Sequence, residues 1–473
     1  MRDIVEQNQT LHKLLAKTMV AEGSPKTVVF FCSHHSGHIN PILSLVRQFA
    51  KDGGWSIFFF CDPAVKGKIE AAGAAFSSIG DLDLHQASAA TIEKKFGLEQ
   101  SPEVANYFFP LEILPATVYY LDPSRKLVDR VKALQPKAIV SDVSALWGIL
   151  TAKILKLPLI TSCSCTLFES LEPPFGHLRE VEMLKMSSKW IKDTYGIEYD
   201  PMLSYMNESD FTVAFSTPEF QPPARQNSKN VHFFGPAVDM DYAAYLETEE
   251  NKDRASDASL LKWLEEGEKK NPKRKVIYCS LGTVVGQEPW TIMERNEDDD
   301  DMVSCFYEKV FEVMRKKGDG YQCIVSIGKD RKAEDIKSPI PDNVQCLQHV
   351  PQIMILEKSD AFITHCGNNG MNEAFFTRCP MVCVPVFGDQ HPNAQSICDL
   401  DAGVQIASPF APLPSPNLDH VTVERLDNAL EQVFETRKDD ISSGIDEISK
   451  SMRQRHADFV KDGFKHMVSF IEA

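Results

Sequence analysis

Along this chain, short runs of β-branched and aromatic residues alternate with longer stretches of helical pattern. In the first half Thr27–Cys32, Trp55–Cys61 and Ala138–Ser141 read as strands; in the second half Lys275–Ser280, Gln322–Ile327, Asp360–Thr364 and Met381–Pro385 do so. Strands alternating with helices build βαβ units around a parallel sheet, so the expected class is α/β. Between the halves lies 239–259, DMDYAAYLETEENKDRASDAS, acidic and nearly free of large aliphatics, which reads as an interdomain linker. From Ile441 to Ile471 the pattern is helical and long enough to cross back over the first domain. Ile4, Leu11, Leu15 and Met19 would line one face of an amphipathic helix in an N-terminal extension, residues 1–26. Two α/β domains joined by one linker place a ligand in the cleft between the carboxyl ends of their sheets.

Length and composition support that picture. A chain of 473 residues suits two domains of roughly 200 each. A hydrophobic fraction of 43% with 25% charged residues is ordinary globular usage, which excludes disorder, collagen and coiled coil for the whole chain. Fifty basic against 67 acidic residues give a net charge of −17. That field repels phosphodiester backbones, so no nucleic-acid partner is expected; a small anion held by helix N-termini stays open. No apolar run approaches the roughly 18 residues of a membrane span, so no transmembrane segment is expected. The N-terminus, with Asp3 and Glu6 and no continuous apolar region, does not resemble a signal peptide. The 12 cysteines are scattered through apolar strand-like runs without metal-ligand spacing, which points to buried thiols in a reducing cytoplasm and to no metal site. The acidic patch Glu297–Asp301 reads as a solvated insertion.

The strongest constellation is the segment 348–393, QHVPQIMILEKSDAFITHCGNNGMNEAFFTRCPMVCVPVFGDQHPN. A strand runs into His365-Cys366-Gly367-Asn368-Asn369-Gly370, and a helix begins there. Small and amide residues at such a turn let a ligand approach the backbone, and the helix N-terminus offers unpaired N–H groups with a positive dipole. Asn369 and Glu373 are one helical turn apart and share a face. A carboxylate there can accept hydrogen bonds from a ribose diol while the amides above hold phosphate.

Over some 45 residues this segment resembles the nucleotide-sugar signature of the family 1 UDP-glycosyltransferases, the plant secondary-metabolite and bacterial macrolide type, with weaker echoes over most of the chain. The resemblance implies the GT-B fold: two Rossmann-like domains whose parallel sheets face across a cleft. Acceptor binding would fall to 27–238 and UDP-sugar binding to 260–440, with helices over 441–473 crossing back. It further implies that His365, the backbone after Gly367, Asn369 and Gly370 meet the diphosphate and that Glu373 binds ribose hydroxyls. Asp389 and Gln390 would hold hydroxyls of the donor sugar, Gln390 favouring glucose. His349, Val350 and Gln352 would lie near uracil and ribose. Ser280 and Thr283, after the strand Val276–Ser280, would add donors to the phosphates. Two positions depart from the plant form: His349 stands where an aromatic stacks on uracil, and Asn368 where a Trp follows His-Cys-Gly. Phe234-Gly235-Pro236 resembles the pair that precedes the family's linker. The co-substrate implied is a UDP-sugar, expected to be UDP-glucose, with no further cofactor.

The first strand ends in Ser33-His34-His35-Ser36-Gly37-His38-Ile39-Asn40-Pro41. Pro41 suits a helix start, which would put His38 in the loop just above it. Glycosyl transfer needs the acceptor hydroxyl deprotonated as it attacks, and imidazole titrates near neutrality. On chemistry alone His34 and His35 rival His38; the G-H-x-N-P pattern, which resembles the family's N-terminal motif, favours His38. Asp142, at the end of Ala138–Ser141, matches the family's aspartate that orients the base, and also suits an N-cap of the apolar helix that follows. Tyr107-Phe108-Phe109, Tyr119-Tyr120 and the stretch 168–175 are candidate acceptor contacts, implying only a small lipophilic or phenolic acceptor. The resemblance then implies metal-independent, inverting transfer.

Competing classes are a dehydrogenase, a nucleotide-sugar epimerase on the same fold, and a catalytically silent nucleotide-sugar-binding partner. No GxGxxG follows the first strand, which counts against the dehydrogenase. The D-Q pair Asp389-Gln390 counts mildly against the epimerase, and the presence of both His38 and Asp142 counts against the silent partner.

Overall fold

The computed structural model describes residues 25–80, 82–98, 108–167, 182–199, 209–237, 255–287, 302–328, 331–386, 389–406 and 418–473. The first sheet holds β1 (Lys26–Phe31), β2 (Trp55–Cys61), β3 (Ala75–Ser78), β4 (Ala138–Asp142), β5 (Leu159–Cys163), β6 (Phe211–Ala214) and β7 (Val231–Phe233). Its strands are parallel in the order β3-β2-β1-β4-β5-β6-β7. The second holds β8 (Lys275–Ser280), β9 (Tyr321–Ser326), β10 (Val344–Leu347), β11 (Ala361–Thr364), β12 (Met381–Cys383) and β13 (Gly403–Gln405), parallel in the order β10-β9-β8-β11-β12-β13.

In both sheets the chain steps outward for three strands and then returns to the other side of the first. The order therefore reverses between β1 and β4 and between β8 and β11, and the adjacent strand ends splay helices to opposite faces, leaving a crevice at each point. Helices cover both faces of the first sheet, so its central strands read as unbroken apolar runs. Val28, Val29, Phe30, Phe31, Phe59, Phe60 and Cys61 have no exposed surface. The GT-B expectation of two facing parallel sheets is met.

Several boundaries differ from the sequence reading. Strands β3, β5, β6, β7, β10 and β13 were not expected; they run AFSS, LITSC, FTVA, VHF, VQCL and GVQ. They are short, several are rich in Ser and Thr, and their pairing partners rather than their own pattern make them strands. Helix α1 (Ser36–Asp52) begins before Pro41, so His38 lies in its first turn and not in a loop above it. Proline can sit inside that first stretch because the carbonyl it leaves unpaired finds another donor, described below. Ala145, not Asp142, is the N-cap of α2 (Leu146–Leu155). Residues 255–259 of the expected linker already belong to helix α3 (Ala255–Lys270); 239–254, the extension 1–24 and Glu297–Asp301 lie outside the described residues.

The sheets are tied together at the C-terminus. Helix α6 (Lys438–Asp458) continues through a π-helical turn, Phe459–Gly463, into α7 (Phe464–Glu472). Ile445, Ile448 and Met452 pack in a core with Met371 and Phe375 beside the second sheet, whereas Phe459, Phe464, Met467 and Ile471 pack in the core of the first. Phe464 meets Phe49 edge-on with ring centroids 5.0 Å apart, and Phe459 meets Phe234 at 4.8 Å. Lys26 pairs with Glu472 at the outer end. Among the described residues no helix is long and apolar enough to cross a membrane.

Because Phe464 is an almost fully buried ring brought from the far end of the chain, Phe464→Ala should cost about 3 kcal/mol of stability. Urea unfolding followed by tryptophan fluorescence checks this, with a lower midpoint expected.

Candidate active site

His38, in the first turn of α1, and Asp142, the last residue of β4, stand at the carboxyl edge of the two strands that flank the first switch point. β1 and β4 pair in register through Phe31 and Ser141, so the chain leaving β1 toward α1 passes beside the end of β4. His38 Nδ1 lies 2.8 Å from Asp142 Oδ1. The Asp142 side chain has no exposed surface, and a buried carboxylate must be satisfied by donors. Oδ1 accepts from the Ser144 N–H at 2.9 Å and the Ser144 hydroxyl at 2.7 Å; Oδ2 accepts from the hydroxyls of Ser162 at 3.1 Å and Ser164 at 3.4 Å. Ser164 Oγ is also 2.8 Å from His38 Nδ1. With Asp142 as acceptor the Nδ1 position carries the proton, and Nε2 is the basic nitrogen.

The rival histidines take other roles. His34 and His35 stack with ring centroids 4.6 Å apart, and His35 Nδ1 is 3.4 Å from Ser33 Oγ. Burial, then the neighbouring His34 and His38, push the His35 imidazole down to about 3, which leaves it neutral.

Across the cleft, β11 turns into α4 (Asn368–Thr377) through Cys366, whose φ of 65° is a left-handed conformation unusual for a side chain with Cβ. Thr364 Oγ1 accepts the Cys366 N–H at 3.1 Å and holds that turn. His365 fills the slot between this turn and the one after β8. A Cβ added at Gly282 would fall 2.3 Å from its Cε1, and one at Gly367 would fall 2.5 Å from its Nε2, so both positions need glycine. Burial pushes the His365 imidazole down to about 4, against a smaller opposing effect of hydrogen bonding to the Ser280 backbone, and its buried Nδ1 has no partner. A neutral ring with a nitrogen to spare is suited to an anionic ligand atom that brings its own hydrogen-bonding needs.

Glu373 lies on the next turn of α4. Gln352 Nε2 donates to its Oε2 at 2.5 Å, and the Tyr278 hydroxyl donates to Gln352 Oε1 at 3.0 Å. Burial pushes Glu373 up to about 7, the Gln352 hydrogen bond opposing. A small cavity lined by Asn40, Pro41, Ala237, Asn369, Asn372 and Glu373 lies between α1 and α4. Gly370 sits beside Gln352. Val350 is buried, while His349 and Thr283 are exposed. Ser280 ends β8, and its hydroxyl accepts the Gly282 N–H at 3.2 Å.

Asp389 and Gln390 open α5 (Gln390–Asp399). Asp389 accepts from Asn393 Nδ2 at 3.3 Å; burial pushes its carboxyl up, while that hydrogen bond and the charge of His38 oppose. Gln390 is turned back on its own loop, where its Oε1 accepts the Val386 N–H at 2.9 Å. Asn368 also turns from the expected direction: its Nδ2 donates to the backbone carbonyls of Ser164 at 2.9 Å and Phe215 at 3.3 Å, in the first domain. Asn372 donates to Phe215 at 2.9 Å and Asn369 to Gly37 at 3.2 Å, and Thr166 donates to Asn393 Oδ1 at 2.6 Å.

The sequence reading missed Ser144, Ser162, Ser164, Thr166 and Asn372. Reading Leu159–Cys163 as a strand next to β4 would have put Ser162 and Ser164 at the carboxyl edge beside Asp142. Of the candidate acceptor aromatics, Tyr120 is core: its ring lies 4.8 Å from that of Trp147 and its hydroxyl donates to the Leu82 carbonyl at 2.9 Å. Tyr119 is half-buried, with Arg125 over its ring. Tyr107, the side chains of Phe108 and Phe109, and 168–175 lie outside the described residues.

Two doubly wound sheets with these groups facing across the crevice define the GT-B architecture, and comparison with known proteins agrees. Residues 335–444 match the family model described as UDP-glucoronosyl and UDP-glucosyl transferase. The chain is similar to YdhE of Bacillus subtilis, described as an uncharacterized UDP-glucosyltransferase, 26% identical over 91% of this chain and 95% of that protein. It is 23% identical to the oleandomycin glycosyltransferase of Streptomyces antibioticus, over 82% of this chain and 81% of that one. Among solved structures, the calicheamicin glycosyltransferase CalG4 superposes with a TM-score of 0.67 at 17% identity, covering 95% of this chain and 98% of its own. These findings bear out the resemblance to the family 1 UDP-glycosyltransferases and the class of enzyme, a glycosyltransferase that takes its sugar from a nucleotide sugar.

The raised Glu373 carboxyl makes a prediction about stability. A folded-state value of about 7 against an ordinary 4.5 gives stability that is fully present below pH 4.5 and is lost as pH rises through 7. Glu373→Gln keeps an acceptor for Gln352 and removes that loss. Its melting temperature relative to the unsubstituted protein should therefore rise between pH 4.5 and 7 and level off above, as read by differential scanning fluorimetry in ligand-free buffer.

Proposed function

We propose that the protein is an inverting, metal-independent glycosyltransferase that moves glucose from UDP-glucose to a hydroxyl of a small lipophilic or phenolic acceptor. The observation that carries this reading is the His38–Asp142 pair, 2.8 Å apart at the first switch point and facing the helix N-termini of the second domain. In the proposed step the acceptor O–H gives its proton to His38 Nε2 as its oxygen attacks the anomeric carbon. The bond from that carbon to the diphosphate oxygen breaks, and UDP leaves with the electron pair. Asp142 faces the imidazolium that forms, as an orienting carboxylate does in other acid–base sites. His365 and the N–H groups at the start of α4 would meet the charge growing on the diphosphate. Attack opposite the leaving group inverts the centre, so an α-linked donor gives a β-glycoside.

On the donor side, Glu373 in the first turns of α4, with Gln352 against it, is the group proposed for the ribose diol, and the signature segment supports uridine as the base. Asp389 is proposed for the sugar hydroxyls, beside Gln390, whose Oε1 holds the Val386 N–H.

Labelled UDP-glucose with a panel of phenolic, sterol and macrolide acceptors in EDTA tests the reading. Labelled glycoside is expected, and His38→Ala should lower kcat by about 10²- to 10⁴-fold with UDP affinity unchanged. A protein that binds UDP and performs its cellular role equally well as His38→Ala is a silent partner rather than a transferase. Failure to bind UDP would sink the proposal.

A further inference from the structure

We propose that Ser164 is a positioning residue for His38, and that through it the docking of the second domain reaches the base. The inference rests on the reading of His38 as the general base. Ser164 is nearly fully buried, and its Oγ touches both members of the pair, 2.8 Å from His38 Nδ1 and 3.4 Å from Asp142 Oδ2. A hydroxyl has one proton to give and lone pairs to receive, whereas an ionised carboxylate only receives. The Ser164 proton therefore goes to Oδ2, and its oxygen accepts from the Nδ1–H that is also directed at Oδ1. The imidazole is then held by two acceptors on different strands, β4 and the end of β5, rather than by one. That restrains rotation of the ring about its Cβ–Cγ bond and keeps the proton on Nδ1.

What fixes Ser164 is equally particular. The Cys163 thiol donates to the Cys165 carbonyl at 3.1 Å across the bend that follows β5. The carbonyl of Ser164 itself accepts from Asn368 Nδ2, the first residue of α4. One residue beyond the bend, Thr166 donates to Asn393 of α5. The loop that holds the base is thus clasped from both sides by the helices that open the donor side. Asn368, with two N–H groups on a short side chain, supplies the carbonyls of Ser164 and Phe215 together, and Asn372 supplies the second again. When the domains separate, Ser164 loses its main-chain anchor and the imidazole loses one of its two restraints, so the base is fully ordered only with the domains docked.

The test compares Ser164→Ala, Ser164→Thr, Asn368→Ala, the Ser164→Ala/Asn368→Ala double variant and His38→Ala in the full-length chain. kcat and KM are measured at saturating donor, UDP affinity by calorimetry and folding by melting temperature. Ser164→Ala should lower kcat about tenfold, the loss of one hydrogen bond in a reacting geometry, with both KM values and UDP affinity within twofold. Ser164→Thr, which keeps the hydroxyl, should restore most of that loss. Asn368→Ala should lower kcat alone but have little further effect when Ser164 is already Ala. A wild-type kcat in Ser164→Ala, a Thr variant no better than Ala, or fully additive losses in the double variant would each overturn the inference. The parent reading fails separately: turnover retained in His38→Ala removes the base, whereas turnover lost there and kept in Ser164→Ala removes only the positioning role.

Discussion

The arrangement depends on one buried anion. Asp142 closes β4 with its carboxylate sealed from solvent, a placement that would be strongly unfavourable without a full set of donors. The chain supplies them from three directions: Ser144 from the turn that follows, Ser162 and Ser164 from the neighbouring strand, and His38 from the helix after β1. Ser33, just past β1, steadies Ser144 in turn through a 2.9 Å contact between their hydroxyls. The carboxylate therefore ties together three strand ends, and the one donor that carries an imidazole is the one left partly exposed. Function and fold share the group: the network that makes burial tolerable is the network that orients the ring.

A second constraint comes from amides rather than charge. Asn368, Asn369, Asn372 and Asn393 project from α4 and α5 toward backbone carbonyls or a hydroxyl of the first domain. Asparagine is short, always neutral and a double donor, so it can bridge two backbones closely without the desolvation cost that a lysine or arginine would bring. The buried Oδ1 atoms of Asn368 and Asn372 are left without partners. At these two residues the contact runs through their N–H groups, beside the Thr166–Asn393 and Asn369–Gly37 hydrogen bonds and the C-terminal helices that pack on both sheets.

Much of this was legible in the residues. The G-H-x-N-P run and the aspartate after AIVS marked the His38–Asp142 pair, and the segment from His365 to Glu373 marked the opposite wall, because each places polar residues shortly after an apolar strand. Less legible was whatever depended on pairing. LITSCSC carries too few large apolar residues to announce a strand, so the serines that complete the Asp142 shell stayed hidden. Gln390 and Asn368 were legible as residues of the signature but not in direction. A side chain's rotamer answers to its neighbours in space: the amide of Gln390 is taken by the Val386 N–H, and that of Asn368 by carbonyls from another domain.

The position of Pro41 shows how the two levels meet. Within α1 a residue at 41 would ordinarily donate its N–H to the carbonyl of Gly37, four residues back. Proline has no N–H, so that carbonyl loses its helical partner and proline's ring crowds it outward. In the sequence alone this argued for starting the helix at Pro41. In the fold the helix starts at Ser36, and the stranded carbonyl is met from across the cleft by Asn369 Nδ2 at 3.2 Å. The defect in one helix is thus the docking point for the N-terminus of another. It lies one residue from His38, so the turn that carries this imidazole is also a turn by which the second domain is held.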